Sequence, residues 1–421
     1  MTVVVPFPSD HWHGALLRTT KGEIRPILAN AVTALRSAPE WQGVLAFDEF
    51  ACQTVALEPS PWAPSISAWE PVPWTDLDDI NAAEWFQRIG ILIGPEVAAQ
   101  AVQTVAAEHA FHPVRDFLRG LRWDGKPRLD GMLATYFGAA DNVYTRSVGA
   151  KTLIAAVARV MRPGAKVDSV LILVGSQGAG KSTALGVLGG KWFTDELGEL
   201  GSKDAAMQSR SAWIIEVAEL DGMSRAEVVR VKAFFSRSTD RFRPPYGRRV
   251  VEMPRQCVFI GSTNAESFLK DETGARRFWP VACGTINVSA VRRDRGQLWA
   301  EALARFNQGE TWWLTDKAAL HAAEQAQDER YVGDVWEDRI AAYVATNDTV
   351  SVATILTEVM AMELGRAGQA EANRVQRVLV RMGLERFQKR KADGTREWRY
   401  RKPDGLVTKS ACHHSLEGID R

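Results

Sequence analysis

The feature that most constrains this chain is a glycine-rich loop set between an apolar strand and a helix. The segment Lys166 to Val174 rises into the run Val170-Leu171-Ile172-Leu173-Val174. It then enters Gly175-Ser176-Gln177-Gly178-Ala179-Gly180-Lys181-Ser182, with Thr183-Ala184-Leu185 following. A nearly unbroken apolar run suits a parallel strand covered on both faces. The loop matches GxxxxGK[ST] in the required strand–loop–helix order. Glycines let main-chain N–H groups turn inward around phosphates, and the helix N-terminus adds its positive end. Lys181 then neutralises β/γ oxygens and Ser182 offers a magnesium ligand. The expected fold class is α/β with a P-loop NTPase core, Gly175 to Thr183 are the expected nucleotide contacts, and ATP and Mg2+ are the expected cofactors.

Hydrolysis asks for a carboxylate at the end of a neighbouring apolar strand, near the metal and the attacking water. Trp213-Ile214-Ile215-Glu216-Val217-Ala218-Glu219-Leu220 meets that demand. Glu216 is expected nearer the metal and Glu219 as the second acid, with surface ion pairing the alternative for Glu219. A third run, Cys257 to Thr263, leads into Asn264, whose amide can bond a γ-phosphate or the attacking water; a strand-end cap is the alternative. After it comes Asp271-Glu272-Thr273-Gly274-Ala275-Arg276-Arg277-Phe278-Trp279-Pro280. Two arginines on an aromatic mount suit a guanidinium offered to a neighbour's γ-phosphate. One of Arg276 and Arg277 is expected in that role and the other as its brace, against a purely structural ion pair.

Composition excludes several classes. The 421 residues are 46% hydrophobic and 24% charged, ordinary for a globular protein and unlike disorder. The first twenty residues lack the apolar core of a signal peptide, and no run approaches the roughly 18–20 apolar residues of a membrane span. A cytoplasmic protein without a membrane partner is therefore expected. The four cysteines are widely spaced, so neither a zinc knuckle nor a redox CxxC is expected. His109 and His112 stand three apart without a third ligand nearby and read as packing or surface histidines.

The net charge of +1 says little about partners, but the basic residues are clustered. Between the acid strand and the Asn264 strand lie Arg237, Arg241, Arg243, Tyr246, Arg248 and Arg249, with Tyr246-Gly247 as a turn. A loop of this kind can follow phosphates while an aromatic ring stacks; intersubunit contact and solvated surface are the alternatives. Further on, Arg374, Arg377 and Arg381 flank the apolar face of a helix spanning 370–382. Lys389 and Arg390 open a hairpin-like stretch with Asp393-Gly394 at its turn. Helix, helix and basic hairpin suggest a winged helix, suited to a DNA groove or to protein docking.

The expected organisation is a mainly helical N-terminal part, made of a small region at 1–75 with a Pro/Trp-rich linker and a helical lead-in at 76–165. The ATPase domain follows at 166–330, a winged-helix-like domain at 331–405 and a flexible tail at 406–421.

On these residues the chain resembles the virulence-associated protein E family, phage- and prophage-borne P-loop proteins related to superfamily-three and primase-linked helicases. The likeness covers roughly 110–330. It is carried by Phe117-Leu118-Arg119-Gly120-Leu121-Arg122-Trp123-Asp124-Gly125, the GxxxxGKS loop, the Glu216/Glu219 strand, the stretch Asp240 to Arg248, and Thr273 to Pro280. Ala275 stands where family members often carry Asn, a change the turn should tolerate. The resemblance implies an AAA+-like core with Asn264 as sensor and a hexameric ring with sites completed between subunits. The leading expectation is an ATP-driven helicase or translocase of phage or mobile-element replication. It would act on DNA, single-stranded or forked, with a replication or loading partner. An ATP-gated DNA-binding initiator or defence effector is the first alternative. A P-loop kinase is the second, disfavoured by the absence of an evident acceptor motif.

Overall fold

The computed structural model describes residues 12–63, 69–199, 202–218, 225–242, 250–268, 275–330, 334–363, 367–390 and 395–403. The chain divides into two compact units, Met1–Tyr331 and Val332–Arg421.

The first unit opens with α1 (Leu28–Ser37), β1 (Leu45–Asp48), β2 (Gln53–Ala56) and β3 (Val72–Pro73). They are followed by α2 (Asp76–Arg88), α3 (Pro95–Glu108) and β4 (Ala110–Phe111). The strands form a sheet in the order β3-β2-β1-β4, antiparallel except for the β1–β4 pair. Thr75 starts α2 with a capping box: its backbone N–H donates to Asp78 Oδ2 at 2.9 Å. Ala31, Leu35, Trp41, Leu45, Phe86, Ala101 and Val102 share one apolar core. The expected boundary at residue 75 therefore runs through a core: α2 and α3 can bury their apolar faces only against α1, β1 and β2. Nor is 57–74 a free linker. Trp62 and Trp74 lie edge-on or tilted against buried Trp41 at 5.6 and 6.1 Å, and Val72–Pro73 pairs with β2. The region is mixed α/β where a mainly helical one was expected.

Helices α4 (Pro113–Gly120), α5 (Met132–Phe137) and α6 (Val143–Met161) lead to the central sheet. Its strands are β5 (Val170–Val174), β6 (Phe193–Thr194), β7 (Ile214–Val217), β10 (Val258–Thr263) and β11 (Phe278–Ala282). Between them come α7 (Lys181–Gly189), α8 (Lys203–Gln208), α9 (Arg225–Phe235) and the hairpin β8 (Thr239–Phe242) with β9 (Val251–Pro254). Helices α10 (Val288–Asn307) and α11 (Lys317–Glu329) follow. All pairings in the central sheet are parallel, in the order β11-β5-β10-β7-β6.

The apolar run of β5 divides by its pleat. Leu171 and Leu173 pack in a core with Leu153 of α6, Leu185 of α7 and Trp299 of α10, while Val170, Ile172 and Val174 join Phe234 of α9 on the other face. Because α4 to α6 share the first of these cores, the expected boundary at 165 also cuts through packed side chains. The lead-in Trp123 to Leu129 is tied down the same way: Glu301 of α10 accepts from the backbone N–H of Arg128 at 2.6 Å and of Leu129 at 3.1 Å.

The second unit contains α12 (Glu337–Thr346), β12 (Thr349–Val350) and α13 (Val352–Thr354), which runs on into a π-turn. After these come α14 (Gln369–Arg381), β13 (Glu385–Arg390) and β14 (Arg396–Arg401). Its antiparallel sheet has the order β12-β14-β13. Val375, Val378 and Leu379, the apolar face expected for this helix, are buried with Ile340, Ile355 and Tyr400. Asp393-Gly394, and the expected tail from 406 on, lie outside the described residues. Among the described residues, no helix is long and apolar enough to cross a membrane.

Candidate phosphate-binding site

The loop between β5 and α7 leaves the C-terminal edge of the central sheet, where ligands of open α/β sheets bind. Gly178 (φ +77°) and Gly180 (φ +91°) take the left-handed backbone that turns the chain into α7, a conformation costly for residues with a Cβ. Ser176, Gln177 and Gly178 are exposed, and Gly175, Ala179 and Gly180 are partly covered. Lys181 is buried, and its ammonium donates to the carbonyls of Gly175 at 2.8 Å and Ser176 at 2.9 Å. A polyphosphate entering the loop would have to draw the ammonium off these two oxygens. Ser182 and Thr183 face solvent at the first turn of α7.

The acid strand reaches this helix across an intervening strand. Glu216 is 1% exposed, and its Oε1 accepts from Ser182 Oγ at 2.8 Å and Ser262 Oγ at 2.5 Å. Its other oxygen, Oε2, is buried and has no hydrogen-bond partner among the described residues. Register explains the meeting. Glu216 pairs with Ile260, and Ser262 is one pleat further along β10 on the same face, the face that packs against α7. Magnesium is held by one or two protein oxygens and keeps several waters. The hydroxyl of Ser182 with the unpartnered Oε2 beside it fits that pattern, and the ion's chemistry there would be to offset polyphosphate charge.

Asn264 follows β10 directly and is exposed. Thr263 pairs with Val174, and its carbonyl accepts from the N–H of Gly175 at 3.1 Å, so Asn264 stands at the start of the loop. A cavity of about 360 Å³ opens beside Glu216, bordered by Asp195, Glu199, Glu227 and Arg230. Glu216 thus lines a solvent-open space with charged groups at its border. Two groups that sequence reasoning passed over also shape the site. The Cys283 N–H donates to the carbonyl of Val174 at 2.7 Å, and burial pushes its thiol up to about 12 against the opposing pull of Lys181, which leaves it a poor nucleophile. Arg295 donates to the carbonyl of Leu188 at 3.0 Å and lies over the Phe117 ring, tying the end of α7 to the lead-in. Ser262 had a legible signal: it alternates with Ile260 toward Asn264. Pairing with Glu216 could not be read without the strand order.

Arg276 and Arg277 sit on a short 3₁₀ turn ahead of β11, with Arg276 exposed and Arg277 partly covered. Phe278 pairs with Val170, the first residue of β5. The pair is therefore at the N-terminal edge of the sheet, about 15 Å of strand from the loop. That distance rules the two arginines out of this chain's own phosphate site.

Of the expected nucleic-acid contacts, Arg237 is exposed and leans over the Phe234 ring at 5.3 Å. Arg241 forms an exposed ion pair with Glu252 across the β8–β9 hairpin. The hairpin's base is fixed by a buried pair, Arg255 donating to Asp240 at 2.8 and 2.5 Å and stacking on Phe234. Glu219, Arg243, Tyr246, Arg248 and Arg249 lie outside the described residues. In the second unit Lys389 and Arg390 are exposed and Arg377 is partly covered. Two of the expected contacts there are paired with carboxylates. Arg374 grips Asp334 at 2.6–2.9 Å and lies 3.9 Å from the Trp336 ring, and Arg381 reaches Glu337 at 3.4 Å. His112, as expected, is a packing residue: its Nδ1 accepts from the Arg115 N–H at 3.1 Å and its Nε2 meets Gln256 Oε1 at 2.8 Å.

Comparisons add the family. No curated protein matches the chain. Among solved structures, the apo NrS-1 C-terminal region (305–718) is 13% identical with a TM-score of 0.47, the match covering 88% of this chain and 98% of that one. An A-form apo structure of the NrS-1 C-terminal region is 12% identical with a TM-score of 0.46, covering 90% and 100%. The virulence-associated protein E-like domain matches residues 118–332, from the end of α4 through the central sheet to the start of the second unit. That span is more than half of the sequence, and the chain belongs to the virulence-associated protein E-like family.

Proposed function

We propose that this protein is a magnesium-dependent ATPase that drives DNA unwinding or translocation in phage or mobile-element replication. The observation that carries the reading is the 2.8 Å hydrogen bond from Ser182, in the phosphate-binding turn, to the buried Glu216 two strands away. Main-chain amides of Gly178 to Lys181 and the N-terminus of α7 hold the β- and γ-phosphates, and Lys181 moves onto them from its carbonyls. Ser182 and Glu216 would hold the magnesium, which would offset the polyphosphate charge. Asn264, at the mouth of the loop, orients the γ-phosphate or the attacking water, and Glu219 is the candidate to polarise that water.

The arginine pair supports a ring. Since Arg276 and Arg277 stand at the far edge of the sheet, their guanidiniums serve a γ-phosphate only on a neighbouring copy, so sites complete themselves between subunits, six in the family's usual ring. DNA binding rests on the basic β8–β9 hairpin and on the second unit. There, three helices, a small antiparallel sheet and exposed Lys389 and Arg390 make up a winged-helix-like body.

The test is a steady-state ATPase assay with and without single-stranded, double-stranded and forked DNA, with particle mass measured in parallel. The proposal expects magnesium-dependent phosphate release, stimulation by DNA, and a nucleotide-dependent oligomer. DNA-stimulated hydrolysis without strand displacement would favour an ATP-gated initiator. No hydrolysis under any condition would refute the ATPase.

A further inference from the structure

Resting on the nucleotide site proposed above, we infer that Ser262 is a positioning residue that fixes the Glu216 carboxylate for magnesium–nucleotide binding. The two hydroxyls on Glu216 Oε1 are not equivalent. Ser182 belongs to the phosphate-binding turn, is exposed, and has to turn its oxygen toward the ion. Ser262 is on β10, 6% exposed, and among the described residues its hydroxyl donates to the same carboxylate oxygen. A serine hydroxyl carries a single hydrogen, and both here spend it on Oε1. Oε1 is thereby supplied twice while Oε2, also in the buried side chain, is left with none among the described residues. A buried carboxylate oxygen without a donor is costly. The arrangement is therefore lopsided in a definite sense: one oxygen is pinned to the protein and the other is kept open for a donor from outside, such as ion-bound water.

Without Ser262 the only anchor on Oε1 would be Ser182, the group that must also serve the metal. The carboxylate would then be free to rotate about its terminal torsion and satisfy Oε2 elsewhere. Strand β10 is well suited to prevent this. It lies between the loop strand β5 and the acid strand β7, bonded to both, so the Ser262 side chain has little freedom to drift.

The measurement is binding of a fluorescent, non-hydrolysable ATP analogue to the full chain, titrated with magnesium, for the wild type, Ser262→Ala, Ser262→Cys and Ser262→Thr. Losing one charge-assisted hydrogen bond should raise the magnesium midpoint ~10-fold in the Ala and Cys variants. The Thr variant, which keeps the hydroxyl, should return toward wild type, and affinity in EDTA should be equal in all four. Wild-type magnesium dependence in both Ala and Cys variants would overturn the role of Ser262 and leave the ATPase reading intact. Equal weakening with and without magnesium would overturn it as well, by showing general damage to the site. A wild-type chain that ignores magnesium and nucleotide would overturn both readings.

Discussion

The β8–β9 hairpin carries two arginine–carboxylate pairs of the same chemistry and opposite burial, which makes their energetic worth predictable by contrast. Asp240 and Arg255 have side chains 6% and 1% exposed, whereas Glu252 and Arg241 are 56% and 72% exposed. Asp240→Ala leaves the Arg255 guanidinium deep in the protein, with one backbone carbonyl, that of Phe234, and the Phe234 and Phe259 rings as company. Stranding one member of a buried pair costs about 3–5 kcal/mol, and the remaining carbonyl and ring contacts place this case near the lower end, about 3 kcal/mol. Glu252→Ala removes an exposed, solvent-screened pair and should cost less than about 1 kcal/mol. Urea unfolding of both variants, followed by tryptophan fluorescence, reads the difference directly. Replacing both partners by apolar residues, Asp240→Leu with Arg255→Met, should recover much of the loss, because the penalty belongs to the stranded charge. Equal, small costs for Asp240→Ala and Glu252→Ala would refute the reasoning, since burial would then not govern the worth of these pairs.

Three further outcomes are expected. Lys181→Ala should abolish ATP turnover while changing stability by less than about 1 kcal/mol, because the two carbonyls it releases lie in a partly open loop that water can reach; wild-type turnover would dismiss the site. Arg276→Ala and Arg277→Ala should each cripple hydrolysis, and mixing either with Lys181→Ala subunits should recover part of the activity, because the two defects then fall on different copies. Failure of every mixture would remove the trans-acting arginine. For His112, burial is the main cause that lowers its pKa below the ordinary value. Its neutral form is therefore favoured by folding, and the stability it contributes is complete above the unfolded pKa of about 6.5 and is lost as pH falls from there through the folded value. His112→Asn keeps an N-cap acceptor without titrating, so the variant should lose less stability than wild type between about pH 7.5 and pH 5.5 in urea melts.

Local chemistry was enough to read the elements around the candidate site. The GxxxxGKS loop, the apolar strands that end at Glu216 and Asn264, and the capped helices are all specified by residues close in sequence, where side-chain period and backbone freedom act directly. The helix over 370–382 and the hairpin after it were legible for the same reason. Domain limits were not. Trp41 and Trp85, or Leu118 and Trp299, find each other only once the chain folds back, and no local pattern says which apolar face covers which.

Long-range pairing also decided the details that matter for function. Strand order brings Ser182 and Ser262 to the same oxygen of Glu216, and parallel register carries Arg276 and Arg277 to the edge remote from their own glycine-rich loop. Arg374 looks from the sequence like any other basic residue on a helix, but the fold delivers Asp334 and Trp336 to it and holds its guanidinium in place. The sequence by itself determined that a glycine-rich loop between strand and helix and an acid-bearing strand would form, because those depend on glycine backbone freedom and buried apolar runs. Only the tertiary structure decided which polar groups meet across strands, because hydrogen bonds of a few ångströms depend on the order and register in which distant segments pack.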